Sequence, residues 1–138
     1  MKYFLDANIL ISAVNKEYPL YTFTSRILSM MEENSDITLV TTNICLAITF
    51  YFAEKKHGTI LAKSKVGLLV EHLHIAECGT REAVCAMNNK KVHDFEDGLQ
   101  YYAALHDNCS CIVTNDLEDF YFSDLPVFSA ERFYRKHI

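Results

Sequence analysis

Cys109-Ser110-Cys111-Ile112-Val113-Thr114-Asn115-Asp116 decides the fold. Its apolar, β-branched centre predicts a strand over Cys109 to Thr114. Polar Asn115-Asp116 follow at once, and a Thr-Asn-Asp cluster at a strand end is by default a turn. Upstream, Asp94 to His106 predicts a helix with Phe95, Leu99, Tyr102 and Ala103 on its inner face. Downstream, Pro126-Val127-Phe128 predicts a brief last strand, and Ser129 can cap a terminal helix carrying Phe133 and Tyr134.

The same strand-then-acid arrangement opens the chain. Lys2 to Asp6 is a short apolar strand ending in a carboxylate, and Ile9 to Asn15 follows as a helix. From Leu20 to Glu33, Phe23, Ile27, Leu28, Met30 and Met31 recur at helical spacing. Ile37 to Val40 is a second strand, and Asn43 to His57 is an apolar helix stopped at Gly58. Thr59 to Val70 predicts a helix, His72 to Glu77 a strand, and Thr80 to Asn88 a helix capped by Thr80. Strands alternating with helices imply crossover connections, hence an α/β three-layer sandwich of helices on both faces of a central parallel sheet. With 138 residues, half of them hydrophobic, and no linker or repeat, residues 1–138 form one domain.

Composition narrows the function less than the pattern does. No secretory signal or membrane span is visible, so a cytoplasmic protein without a membrane association is expected. Five cysteines with no CxxC pair point to reduced core thiols rather than zinc ligands, although Cys109 and Cys111 would share one strand face. The net charge of −5 taken alone argues against nucleic acid, yet an acidic metal site contributes to that sum. The basic clusters at Lys55, Lys56, His57, Lys63 and Lys65, and at Arg132, Arg135 and Lys136, are those of ordinary solvated helix faces. No Ser, His and Asp fall into a nucleophilic triad, and there is no Gly-rich phosphate loop. A phospho-acceptor domain would need a Lys after a late strand, and Ile112 to Asp116 offers none.

What remains is a constellation of acids. Ligands bind parallel α/β sheets outside the carboxyl ends of the strands. Asp6 and Asp116 fall at two such ends, and Asp94 and Asp97 open a helix on one face, three residues apart. Each has an ordinary alternative as a cap, a dipole partner or a turn residue. Together they can converge at one sheet edge, where mutual repulsion is relieved by a hard divalent cation held by oxygen ligands.

The segments Phe4-Leu5-Asp6-Ala7-Asn8-Ile9-Leu10, Asp94-Phe95-Glu96-Asp97-Gly98-Leu99 and Ile112-Val113-Thr114-Asn115-Asp116 with Asp119-Phe120 resemble, in order and spacing, the signatures of PIN domains. The likeness is strongest to small bacterial members related to VapC toxins. It implies an endoribonuclease dependent on Mg²⁺ or Mn²⁺, the toxin of a toxin–antitoxin pair. Asp6, Asp97 and Asp116 would hold the metal, with Asp94 as a fourth catalytic acid. Asn8, Asn43 and Thr114 would orient substrate or water. RNA would be the substrate, an antitoxin protein a partner, and a homodimer the assembly. The chain departs from the family at one point. PIN domains usually carry a further acid on the helix after the second strand, and family spacing places it at Ala47. Glu54 is too far along the helix to replace it, about 10 Å, whereas Asn43 would supply a neutral oxygen. The alternative is therefore a catalytically weak PIN domain that binds RNA or protein.

Overall fold

The computed structural model describes residues 1–137 of the chain. Strand β1 (Lys2–Leu5) leads into α1 (Ala7–Asn15) and α2 (Tyr21–Glu33), and β2 (Thr38–Thr41) into α3 (Asn43–His57) and α4 (Thr59–His72). Strand β3 (His74–Ile75) is followed by α5 (Thr80–Asn88) and α6 (Phe95–His106). Strand β4 (Cys111–Val113), a 3-10 turn at Leu117–Phe120, β5 (Val127–Phe128) and α7 (Ala130–His137) complete the order.

The five strands form one all-parallel sheet in the order β3-β2-β1-β4-β5. From β1 the chain steps outward to β2 and β3, then crosses back to β4. Right-handed crossovers put α1 to α4 on one face and α5 with α6 on the other. The principal helix contacts agree: α1, α2, α3, α4 and α7 form one connected group, and α5 packs with α6. With both faces covered, the central strands carry adjacent apolar residues, and Phe4, Leu5, Leu39, Val40, Ile112 and Val113 are fully buried. The direction of propagation reverses between β1 and β4, which is where α/β sheets open a crevice. Asp6 N–H donates to Val113 O across that point at 3.0 Å.

Several local expectations are corrected. Strand β3 is only His74–Ile75, because α4 runs on to His72 with no breaker in Leu68-Leu69-Val70-Glu71. Cys109 lies outside β4, just beyond Asn108, whose φ is +62°. Helix α5 is capped at Gly79 rather than Thr80, with Gly79 N–H donating to Glu82 at 2.8 Å. Phe95 is exposed rather than inward. The buried face of α6 includes Ala103 as expected, together with Gly98, Gln100, Tyr101 and Ala104. Gly98 sets that rotation: a Cβ there would meet Val92 Cγ1 at 2.7 Å and Ala86 Cβ at 3.0 Å. The missing side chain lets α6 lie close against α5, and this contact fixes where Asp97 stands one residue earlier. Ser129 does cap α7, accepting from Arg132 N–H at 3.2 Å.

Candidate functional site

Asp6 ends β1 and caps α1, its Oδ1 accepting from Ala7 N–H at 2.8 Å. Its Oδ2 accepts from the Thr114 hydroxyl at 2.9 Å, so the residue just after β4 is tied to the first strand's end. Thr114 Oγ1 in turn accepts from Asp116 N–H at 3.1 Å. Asn8, in the first turn of α1, lies between the two carboxylates. Its Nδ2 is 3.0 Å from Thr114 Oγ1, 3.1 Å from Asp116 Oδ2 and 3.4 Å from Asp6 Oδ2, and its Oδ1 accepts from Asn115 N–H at 3.1 Å. Asp6, Asn8, Thr114 and Asp116 thus form one hydrogen-bonded unit at the carboxyl edge of β1 and β4.

The other acids arrive from α6 and the 3-10 turn. Asp94 caps α6, accepting from Asp97 N–H at 3.2 Å. Asp94, Glu96, Asp97, Glu118 and Asp119 line a cavity of about 370 Å³ together with His93 and Tyr121. Glu118 and Asp119 also line the adjoining cavity beside Asn115 and Asp116, which makes the acidic edge continuous.

These carboxylates disturb one another. Burial pushes Asp6 up to about 6 against the hydrogen bonds from Ala7 and Thr114, with Glu96 and Asp116 adding repulsion. Burial pushes Asp97 up to about 7, with Asp94, Asp119, Asp6 and Glu96 contributing. Burial and then Asp116, Asp94 and Glu118 raise Asp119. Among the described residues, no three His, Cys, Asp or Glu side chains stand close enough to hold one ion together. The acids ring the edge rather than meeting at a point, and Asn8 separates two of them.

Helix α3 meets this edge through a residue that family spacing does not indicate. Thr42 caps α3, its hydroxyl oxygen accepting from Cys45 N–H at 3.2 Å and donating to Gln100 Oε1 at 2.6 Å. The cap turns Cys45, the third helical residue, inward, with its Sγ 3.9 Å from Asp6 Oδ1. Ala47 is exposed. The neutral group that α3 presents to Asp6 is therefore the Cys45 thiol, pushed up to about 12 by burial and by Asp6. Asn43, also exposed, lines a different cavity of about 660 Å³, shared with His74, Glu82, His106 and Asp107.

Sequence reasoning identified Asp6, Asn8, Thr114 and Asp116, which the structure brings into one unit, and Asp94 and Asp97, which it brings to the same edge. It missed Cys45, Glu96, Glu118 and Asp119 as neighbours of the site. The acid-rich Glu118-Asp119 beyond the last strand end was the available signal for two of them.

Known proteins share this fold. A family model described as PIN domain matches residues 2–118. Ribonuclease VapC1 of Aquifex aeolicus (strain VF5) is 26% identical over 136 residues, covering 96% of this chain and 92% of that protein. The structure of VapBC2 from Rickettsia felis, bound to a DNA fragment from their promoter, superposes with a TM-score of 0.71 at 22% identity, over 94% of this chain and 98% of that one. VapBC-1 from nontypeable Haemophilus influenzae gives a TM-score of 0.71 at 20% identity, over 95% and 99%.

Proposed function

Because this chain belongs to the PIN-domain family, we propose that it is a divalent-metal-dependent endoribonuclease of the VapC type, the toxin of a toxin–antitoxin pair. The observation that carries the proposal is the bonded unit of Asp6, Asn8, Thr114 and Asp116 at the same edge as Asp97, with Asp6 and Asp97 both raised by burial and then by neighbouring carboxylates. Carboxylates in that condition fit a hard cation such as Mg²⁺ or Mn²⁺. Asp6, Asp97 and Asp116 would hold it, with Asp94 as a nearby fourth acid, and the carboxylates would have to close in to share it.

Held by those residues, an ion would supply activation of a water and offset charge on a phosphodiester and its leaving oxygen. Asp6 is set in place before any ligand arrives, since Ala7 N–H fixes one oxygen and Thr114 the other. Asn8 Nδ2 keeps Asp116 turned toward Asp6 and would orient substrate or water beside them. Gly98 holds Asp97 at its depth. Asn43 lines the other cavity, and we assign it no part in the reaction.

Exposed Tyr51 and Phe52 on α3 and Ile60, Leu61 and Leu68 on α4 support a protein-binding role for that face, for a second copy or an antitoxin. The test of function is Mn²⁺-dependent cleavage of structured RNA, with Asp97→Asn as the blank. Cleavage retained in that variant overturns the reading. The Cys45 thiol in place of a family acid favours a second reading, a catalytically weak domain that binds RNA or protein. Mn²⁺ raising the melting temperature with no cleavage of any RNA would select it.

A further inference from the structure

His93 and Tyr121 stack on each other at the rim of the acidic cavity, ring centroids 5.6 Å apart and planes 25° from parallel. Tyr121 is 56% exposed, yet its ring is held. Its hydroxyl donates to Lys91 O, and Phe122 meets the ring edge-on at 5.4 Å. Phe122 is braced edge-on at 5.2 Å by the buried Tyr101. An aromatic surface is thus kept open to solvent and fixed in orientation from the core outward.

The cavity beside it carries five carboxylates, Asp94, Glu96, Asp97, Glu118 and Asp119. A phosphodiester backbone approaching them is repelled except where a cation intervenes, so the substrate needs attraction that does not depend on its charge. Nucleobases supply it, because every base has a π-face that stacks on aromatic rings. Lys90 and Lys91, exposed on the loop that carries His93, offer positive charge to the phosphates. We propose that the His93–Tyr121 pair is a stacking platform for an unpaired nucleobase next to the scissile phosphate. The platform takes only an unpaired base, since bases inside a continuous duplex have no free face. This rests on the ribonuclease reading above.

The test uses the full chain and an RNA hairpin in Mn²⁺, with single abasic nucleotides scanned through its loop. In the wild type, one abasic position beside the cut should lower kcat/KM by about 5- to 100-fold. Tyr121→Leu should lose a similar factor on intact RNA and become indifferent to that abasic position, while Tyr121→Phe, which keeps the ring and its Phe122 brace but loses the bond to Lys91 O, should fall between the two and keep the abasic penalty. The Mn²⁺-induced rise in melting temperature should be the same in all three, which separates stacking from metal binding. Wild-type rates in Tyr121→Leu and His93→Ala, or an undiminished abasic penalty in Tyr121→Leu, overturn the platform and leave the ribonuclease standing. Should the wild type cut no RNA, polarisation of a labelled oligouridylate in Ca²⁺ decides. Binding weakened by Tyr121→Leu upholds the platform without the nuclease, and binding absent or unchanged overturns it.

Discussion

At its C-terminal end α6 delivers His106 and Asp107 into ion pairs: His106 with Glu82, and Asp107 with Lys2 at 3.3 Å and His74 at 3.2 Å. At its N-terminal end, about 18 Å away, the same helix delivers Asp94, Glu96 and Asp97, and none of them is in an ion pair among the described residues. Glu82 shows what the protein does with a structural carboxylate. Burial alone would raise it, but Gly79 N–H and His106 more than reverse that and hold it below the usual range. Asp97 has neighbours that only push it up. Acids left uncompensated beside others that are fully partnered carry a cost that packing does not explain, and such groups mark functional sites.

The largest expected effect lies at the unpartnered end. Asp97→Asn should lower RNA cleavage by at least about 100-fold while raising the melting temperature of the metal-free protein at pH 7.5. Initial rates in Mn²⁺ and thermal melts in chelator check both, and a lower melting temperature would mean that Asp97 is structural after all. At the partnered end the signs should reverse. Glu82→Ala leaves His106 and the Gly79 N–H without their partner, and should cost about 3 kcal/mol in denaturant unfolding. Cleavage per folded molecule should be unchanged.

Proton linkage sharpens the contrast. Asp6 and Asp97 bind protons more tightly folded than unfolded, having risen from 3.8 to about 6 and about 7. Their contribution to stability is full below about pH 4 and is lost as pH rises through those two values. Glu82 works oppositely, its contribution being present above its unfolded value and lost as pH falls. Melts in chelator should therefore decline from about pH 5 to about pH 7 and level off above it, less steeply in Asp97→Asn, and Mn²⁺ should flatten the decline. A pH-independent melt over that window contradicts the assignment. The smallest effects separate two neighbours on α3. Cys45→Glu adds a charge beside Asp6 and should lower the melting temperature in chelator and enlarge its recovery in Mn²⁺. Ala47→Glu, on the exposed side, should move stability by no more than about 0.5 kcal/mol and leave the Mn²⁺ response alone. Equal behaviour of the two variants would mean that Cys45 is no nearer the site in its effect than Ala47.

The strands bearing Asp6 and Asp116 were legible because an apolar run ending in a polar residue has few other readings. The rotation of α6 was not, since it depends on a single close approach at Gly98 that periodicity does not register. Phe95 was misplaced for that reason. Cys45 escaped because family spacing counts residues, whereas the Thr42 cap decides which of them turns inward. Glu96 and Asp119 look like ordinary surface acids until the 3-10 turn brings the second beside the first.

The bonds that close the candidate site join residues 106 to 108 positions apart in the chain: Asn8 to Thr114, Asn115 and Asp116, and Asp6 to Thr114. A ribosome making this protein emits Asp6 and Asn8 first, and Thr114 and Asp116 only after most of the domain between them has been synthesised. At roughly 5–20 residues per second that is an interval of several seconds or more. Throughout it the first half of the site has no second half. A nascent chain still attached to its own messenger therefore lacks the arrangement we assign to cutting RNA, and the topology itself postpones that arrangement until β4 has emerged and docked beside β1.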